Sequence, residues 1–300
     1  EYLAEDHEKP QLLFVGTYGP HHPYVAPREL YEYYLDKVDI PEDSFDYLEH
    51  PALEGKILRD TNPEVVRAVR AAYYGMVEFE DQQIGKVYDA FQDYLKRTGH
   101  EGVFVYVSDH GDHIGTRGYY GKSTFYEQSA HTPMIFAGDG ITRGKRIKGA
   151  TSLIDLGPTL CELAGAPTIP EADGISLCRQ LQGNLDDTSR IVVSELGGEF
   201  GLRSGVFSYG QMAKQGSYKL IHFDGFDKQD VLYDLDKDPE EKDNVILKHL
   251  DVANRLRDAM QNACESRDQI YRNAERLAKN LPVLTKCDLD VPEERWHAPE

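Results

Sequence analysis

A continuous run of strand-forming residues, Gly102-Val103-Phe104-Val105-Tyr106-Val107, ends abruptly in Ser108-Asp109-His110-Gly111-Asp112, and this junction most constrains the fold. An unbroken apolar, β-branched stretch is the pattern of a buried parallel strand. A helix is expected just before it. Pro63 suits a first turn, Val66, Val69, Tyr73, Met76, Ile84, Val87, Phe91 and Leu95 recur near helical spacing, and Thr98-Gly99 supplies the stop. A helix feeding a strand is the unit of α/β architecture. In open α/β sheets ligands bind just past the carboxyl ends of the strands. There this chain places a carboxylate, an imidazole, a glycine and a second carboxylate.

Other segments fill in the plan. Gln11 to Thr17 reads as a short buried strand, and residues 28–62, polar and tyrosine-rich, as a long surface excursion. Pro133 to Ala137 is a further short strand. Ser152 to Gly165 reads as a helix whose Ser152 and Asp155 stand at capping-box spacing. After a loop-rich boundary at 166–188, Ile191–Ser194, Gly205–Ser208 and Tyr218–Ile221 suggest a smaller antiparallel sheet. Asp234 to Asn244 reads as a charged turn, and one or two helices follow over 245–278. The expected fold is α/β: a mixed sheet flanked by helices, with a smaller C-terminal antiparallel sheet and helix. The expected division is a catalytic-type portion over 1–188, a small sheet subdomain over 189–250, and a helical and extended tail over 251–300. That tail, with Val252, Leu256, Met260 and Ile270 among charged neighbours, suits packing on its own domain or on a second copy in a homo-oligomer.

Thirty-three basic against 52 acidic residues give a net charge of -19, which argues against nucleic-acid binding through a broad basic face. An anionic substrate must therefore be drawn in by local positive groups. No run of eighteen apolar residues occurs, so no membrane span is expected. Cys161, Cys178, Cys264 and Cys287 show no paired spacing and read as reduced thiols, with a Cys264–Cys287 disulfide as the alternative. The chain starts at Glu1 with no signal-like segment, and its beginning is expected to be absent.

The loop Gly19-Pro20-His21-His22-Pro23-Tyr24 holds two imidazoles between prolines, each of which restricts the backbone around it. A rigidly placed imidazole suits hydrogen bonding to a reacting oxygen, although a plain surface loop has the same composition. Asp109 and His110 are the candidate metal-ligand pair. Oxygen favours calcium or magnesium, and the neighbouring imidazole widens the choice toward manganese. Asp112 and His113 are weaker candidates, a loop holder and a bystander. Lys122, after Gly121, can neutralise an anionic oxygen as a point charge. No glycine-rich phosphate loop precedes it, and Glu127 reads as a structural ion-pair partner.

Taken in order, PHHPY, YYGMVEFEDQQIGKV, SDHGD, GYYGKSTFYEQSAHTPMI, TSLIDLGPTLCELAG, YKLI and LYDLDKDPEEKDN resemble the C-terminal part of a type I sulfatase of the alkaline phosphatase superfamily. The likeness runs from about residue 10 to residue 250, and is strongest to bacterial branches of the choline-sulfatase and phosphonate monoester hydrolase type. It implies Asp109 and His110 as metal ligands, with calcium as the first choice and manganese or magnesium as alternatives. It implies Lys122 as a catalytic and substrate contact, and His21 as the histidine that holds sulfate or protonates the leaving oxygen. His22 is the substrate-binding fallback. The resemblance further implies a formylglycine nucleophile made from cysteine or serine. No cysteine or serine of this chain stands in the required context of cysteine or serine, any residue, proline or alanine, any residue, arginine. The paired aspartates of the first strand are missing too, and both features are expected in an absent N-terminal part.

The function expected is metal-dependent hydrolysis of a small-molecule or saccharide sulfate ester, with this chain inactive alone. Phosphonate or phosphate ester hydrolysis keeps the same groups, since both transferring anions are tetrahedral. A non-catalytic accessory subunit is the alternative from another class.

Overall fold

The structure, a computed structural model, describes residues 2–45, 61–184, 186–197, 209–224 and 230–265. They fall into two units, one reaching Arg190 and one beginning at Ile191. Within the expected surface excursion, the first unit forms a helix, α1 (Arg28–Leu35), ahead of the long α2 (Pro63–Thr98). Leu30, Tyr31, Tyr34 and Leu35 make the half-buried face of α1. Gly75 lets the two helices approach: a Cβ there would lie 2.9 Å from that of Ala26 and 3.3 Å from that of Leu30. The Tyr34 hydroxyl donates to Glu78 at 2.7 Å.

The ends of α2 follow from its termini. Asn62 Oδ1 accepts the backbone N–H groups of Glu64 and Val65, both at 3.0 Å, and Pro63 loses nothing where no helical acceptor exists. Gly99 closes the helix at φ 72°, its N–H donating to the Leu95 carbonyl at 2.8 Å. Near that end Tyr88 and Phe91 pack on Phe104, with ring centroids 5.2 and 5.9 Å away. Gly102 sits against the Phe91 ring, which a Cβ would approach to 2.7 Å.

The helix thus leads into β1 (Val103–Val107). After α3 (Glu127–Ala130), β2 (Met134–Gly138) returns antiparallel to β1, in register from Val103 opposite Gly138 to Val107 opposite Met134. The parallel neighbour and full burial expected of β1 are not found among the described residues; all five of its residues are half-buried. Gln11 to Thr17 is likewise corrected. It forms no strand and is exposed, Leu12 at 79% and Phe14 at 85%. An apolar run becomes a strand only when a neighbour takes its backbone N–H and C=O groups, and no described strand does so.

The predicted Ser152 helix appears as a single 3₁₀ turn running into α4 (Leu156–Leu163). The Ser152 N–H donates to Asp155 Oδ2 at 2.8 Å, completing the capping box. Asp155 is fully buried and also accepts the Ile175 N–H and both Arg190 guanidinium N–H groups, at 2.9, 2.7 and 2.8 Å. A short helix, α5 (Cys178–Leu181), follows. Cys161 and Cys178 are free thiols.

The second unit is an antiparallel sheet of β3 (Ile191–Gly197), β4 (Tyr209–Gln215), β5 (Tyr218–Asp224) and β6 (Val231–Asp234), in that order, with α6 (Leu250–Glu265) on one face. Ala213, Leu220 and Leu232 from the sheet meet Val252, Ala253, Leu256 and Met260 of α6 to form its core. Two of the three expected strands are present. The third, Gly205–Ser208, lies outside the described residues, as do Cys287, the Cys264 side chain, Ile270 and the tail beyond 265. Residues 231–234, ahead of the charged turn, form the unforeseen β6. No helix among the described residues is long and apolar enough to cross a membrane.

Candidate active site

Two loops and one strand end meet in the first unit. Beyond β1, Gly111 makes the turn possible. Its N–H donates to the Ser129 carbonyl at 2.8 Å, and a Cβ on it would lie 2.1 Å from the Gln128 carbonyl oxygen. The glycine of Ser108–Asp112 is therefore a close backbone approach to α3. Ser108 Oγ donates to the His110 carbonyl at 2.9 Å, and the His110 N–H donates to Asp109 Oδ1 at 2.9 Å.

The His110 ring is fixed by its own backbone. Nδ1 lies 2.8 Å from the Gly111 carbonyl. A carbonyl only accepts, so Nδ1 carries the proton and Nε2 presents a lone pair. His21 repeats this arrangement, its Nδ1 lying 2.7 Å from the His22 carbonyl. Both lone pairs face Lys122, whose Nζ is 2.6 Å from His110 Nε2 and 3.5 Å from His21 Nε2. Three nitrogens distant in sequence therefore converge. The His21 loop contains two cis peptide bonds, Gly19-Pro20 and His22-Pro23. The exposed His22 ring lies on that of His21, with centroids 4.1 Å apart. Its carbonyl, not its ring, enters the hydrogen-bond network, also accepting from the Tyr18 hydroxyl at 3.0 Å.

Lys122 sits in a loop of unusual backbone. Gly121 has φ 93°, and Ile114, Arg117 and Ser123 have φ of 40°, 57° and 78°. Such conformations in non-glycine residues cost about 1–3 kcal/mol each and persist where their surroundings enforce them. Here the Gly121 N–H donates to Asp112 Oδ1, the His113 N–H to the Gly121 carbonyl and the Tyr119 hydroxyl to the Lys122 carbonyl, each at 2.9 Å. His113 is fully buried, with Nε2 2.8 Å from Thr124 Oγ1 and its ring edge-on to Tyr119. Glu127 pairs with His131 at 3.1 Å.

The Asp112 carboxylate colours its surroundings. Burial first, then the Asp112 charge, pushes Tyr73 and Tyr119 up to about 12, and the same causes in the same order hold the Tyr24 hydroxyl well above the ordinary phenol range. Tyr24 thus stays a donor throughout the physiological range. Neither Tyr24 nor Tyr119 stands out in the sequence, where a tyrosine beside a motif reads as packing.

For a divalent cation, Asp109 Oδ2 and His110 Nε2 lie 3.4 Å apart, close enough to share one ion, and the Asp109 side chain is 81% exposed. Their donor types suit a cation that accepts mixed oxygen and nitrogen ligands, which would have to take the His110 Nε2 lone pair from Lys122 Nζ, 2.6 Å away. They supply two positions of a shell that needs more. Among the described residues no group of three or more histidine, cysteine, aspartate or glutamate side chains is arranged to hold a metal.

Comparison with known proteins places the chain in a family. The sulfatase family model matches residues 1–166, and a model of the C-terminal region of N-sulphoglucosamine sulphohydrolase matches residues 115–266. A choline-sulfatase of Rhizobium meliloti is 31% identical over 261 residues, covering 80% of this chain and 47% of its own length. An arylsulfatase of Clostridium perfringens is 28% identical, covering 93% of this chain and 59% of its own. Among solved structures, a phosphonate monoester hydrolase from Silicibacter pomeroyi superposes with TM-score 0.65 at 27% identity, covering 82% of this chain and 54% of that one. A 2-O GAG sulfatase superposes with TM-score 0.62 at 23% identity, covering 97% and 60%, and supports the expected α/β fold class. The chain spans about half the length of the curated relatives it matches. The first match alone takes in more than half of the sequence, and the chain belongs to the sulfatase family.

Proposed function

We propose that the chain contributes the anion pocket of a metal-dependent sulfuric ester hydrolase. The observation that carries this reading is the convergence of Lys122 Nζ with the Nε2 atoms of His21 and His110. In the overall reaction an ester R–O–SO3⁻ and water give the alcohol and hydrogen sulfate. The Lys122 ammonium neutralises charge building on the oxygens of the transferring group, where a fixed cation stabilises a transition state more than a ground state. His21 serves the departing alkoxide. Its Nδ1 is committed to the His22 carbonyl, so Nε2 is the atom left to face the leaving oxygen, and it acts as the acid there once that lone pair has taken up a proton from solvent. Asp109 and His110 would hold part of the shell of a divalent cation, calcium first and manganese or magnesium as alternatives, which supplies Lewis acidity at the same oxygens.

The attacking group is not among these residues. No cysteine or serine stands in the formylglycine context, and the described residues offer two metal donors. The chain by itself is therefore expected to turn over no ester. Incubation of the chain with an aryl sulfate and calcium or manganese tests this, and product formation above the buffer blank overturns it. The substrate class proposed is a small-molecule or saccharide sulfate ester, supported by the likeness to a choline-sulfatase and to the sulphoglucosamine sulphohydrolase model. Likeness to a phosphonate monoester hydrolase favours phosphonate or phosphate esters as the second reading. Inorganic sulfate and phosphate, titrated against the chain, separate the two by which anion displaces the other.

A further inference from the structure

Asp112 touches both loops that form the pocket. Its Oδ1 accepts the N–H of Gly121, the residue before Lys122, at 2.9 Å. The hydroxyl of Tyr24, three residues after His21, donates to the same carboxylate, 2.9 Å from Oδ2 and 3.1 Å from Oδ1. A third bond, from the Ile114 N–H at 3.0 Å, is local and would serve any aspartate at a turn. The other two are not local: their partners lie nine and 88 residues away in sequence. We propose that Asp112 is a positioning residue that sets the distance between His21 and Lys122, and so the size of the anion the pocket admits.

Three arguments support this. A carboxylate accepting several N–H and O–H groups makes strong bonds of fixed direction, which suits a distance-setting strut. The Lys122 loop has positive φ at Ile114 and at Gly121, and Asp112 Oδ1 accepts the N–H of both. The His21 loop reaches this strut through a single side chain, Tyr24, whose ring also stands edge-on to Tyr73 of α2, with centroids 6.1 Å apart. Asp112 touches no reacting atom itself. The proposal rests on the functional reading only for what the pocket holds; the strut is a statement about geometry.

The test uses the 300-residue chain with its histidines labelled with 15N, and ring nitrogen resonances read by long-range correlation. Tyr24→Phe removes one donor and leaves both backbone bonds to Asp112. Without added anion it is expected to move the His21 Nε2 resonance toward that of a free lone pair and to leave His110 in place. Asp112→Ala is expected to move both rings. Asp112→Asn is expected to restore both, because its amide oxygen still accepts the two N–H groups and its NH2 can donate to Tyr24. A control, Asp186→Ala, frees the N–H groups of Lys148 and Gly149 and is expected to lower the melting temperature without moving either ring. The proposal is overturned if Tyr24→Phe and Asp112→Ala leave both rings where they were, or if the control moves them as much. Inorganic sulfate then reports on the pocket reading separately. In the wild type it should move both rings, and Tyr24→Phe should weaken its affinity roughly ten-fold. Rings that shift as expected with mutation but never with sulfate would retain the strut and refute the sulfate-ester reading.

Discussion

Lys219 of β5 and Glu241 show what a single pair can decide. Both side chains are fully buried, with Nζ 2.8 Å from Oε1. Taking two charges out of water is offset by their mutual attraction, so losing one partner removes a close counter-charge from the other. Lys219→Met is expected to cost about 3–5 kcal/mol, read as a fall in the urea midpoint, while the double change Lys219→Met with Glu241→Leu recovers most of it. In the sequence these residues read as one more lysine in a strand and one more glutamate in a charged turn. Burial of a charge is set by what folds over it, which composition does not carry. The pocket was easier to nominate. His21, His110 and Lys122 stand in short, odd contexts, and the structure gathers their nitrogens, while Asp109 remains mostly in solvent. The bonds from Tyr24 and Gly121 to Asp112 were illegible, because nothing local marks a tyrosine as the partner of a carboxylate 88 residues on.

Between elements, Asp230 binds the second unit's parts. It accepts from His222 of β5 at 2.6 Å and from Arg257 of α6 at 2.5 Å, at the entrance to β6. Burial, its largest influence, raises its pKa, but His222 and Arg257 together outweigh this and hold it below the usual carboxylate value of 3.8. A depressed carboxylate contributes stability that is present above the unfolded value and is lost as pH falls through the folded one. Asp230→Asn is thus expected to cost about 1.5–3 kcal/mol near neutrality. The gap from the wild type should shrink as the pH falls through and below the usual carboxylate range when urea midpoints are compared across pH. In the first unit, Gly111→Ala would drive a methyl into the Gln128 carbonyl and force the β1 turn away from α3, at about 1–3 kcal/mol in thermal unfolding. Helices with clear ends were the legible elements: α2 runs from its asparagine cap to its glycine stop as its pattern implies. The eight-residue α1 escaped notice because Pro27 offers no side-chain cap and its tyrosines match a polar loop in composition.

At the scale of the molecule, the α/β class followed from one helix feeding one strand, yet pairing and cover did not. Gln11 to Thr17 and β1 have the same apolar character, but one is paired and half-buried while the other is exposed and unpaired among the described residues. Strand partners come from elsewhere in a chain, so a run of apolar residues states a preference and no address. What does have an address is α2. Val66 lies against Gly115 in the Lys122 loop, Tyr73 meets Tyr24, Glu80 lies against Gly19, and Phe91 caps Gly102 at the foot of β1. The helix is graduated like a ruler, with its marks aligned to three different stretches of chain. Its outward residues are free to drift over evolutionary time, but its length between Val66 and Phe91 is not. One inserted residue would turn every later mark by about 100° and slide it about 1.5 Å. Related chains that keep the same pocket should therefore differ along this rod by exchange of letters and almost never by their number.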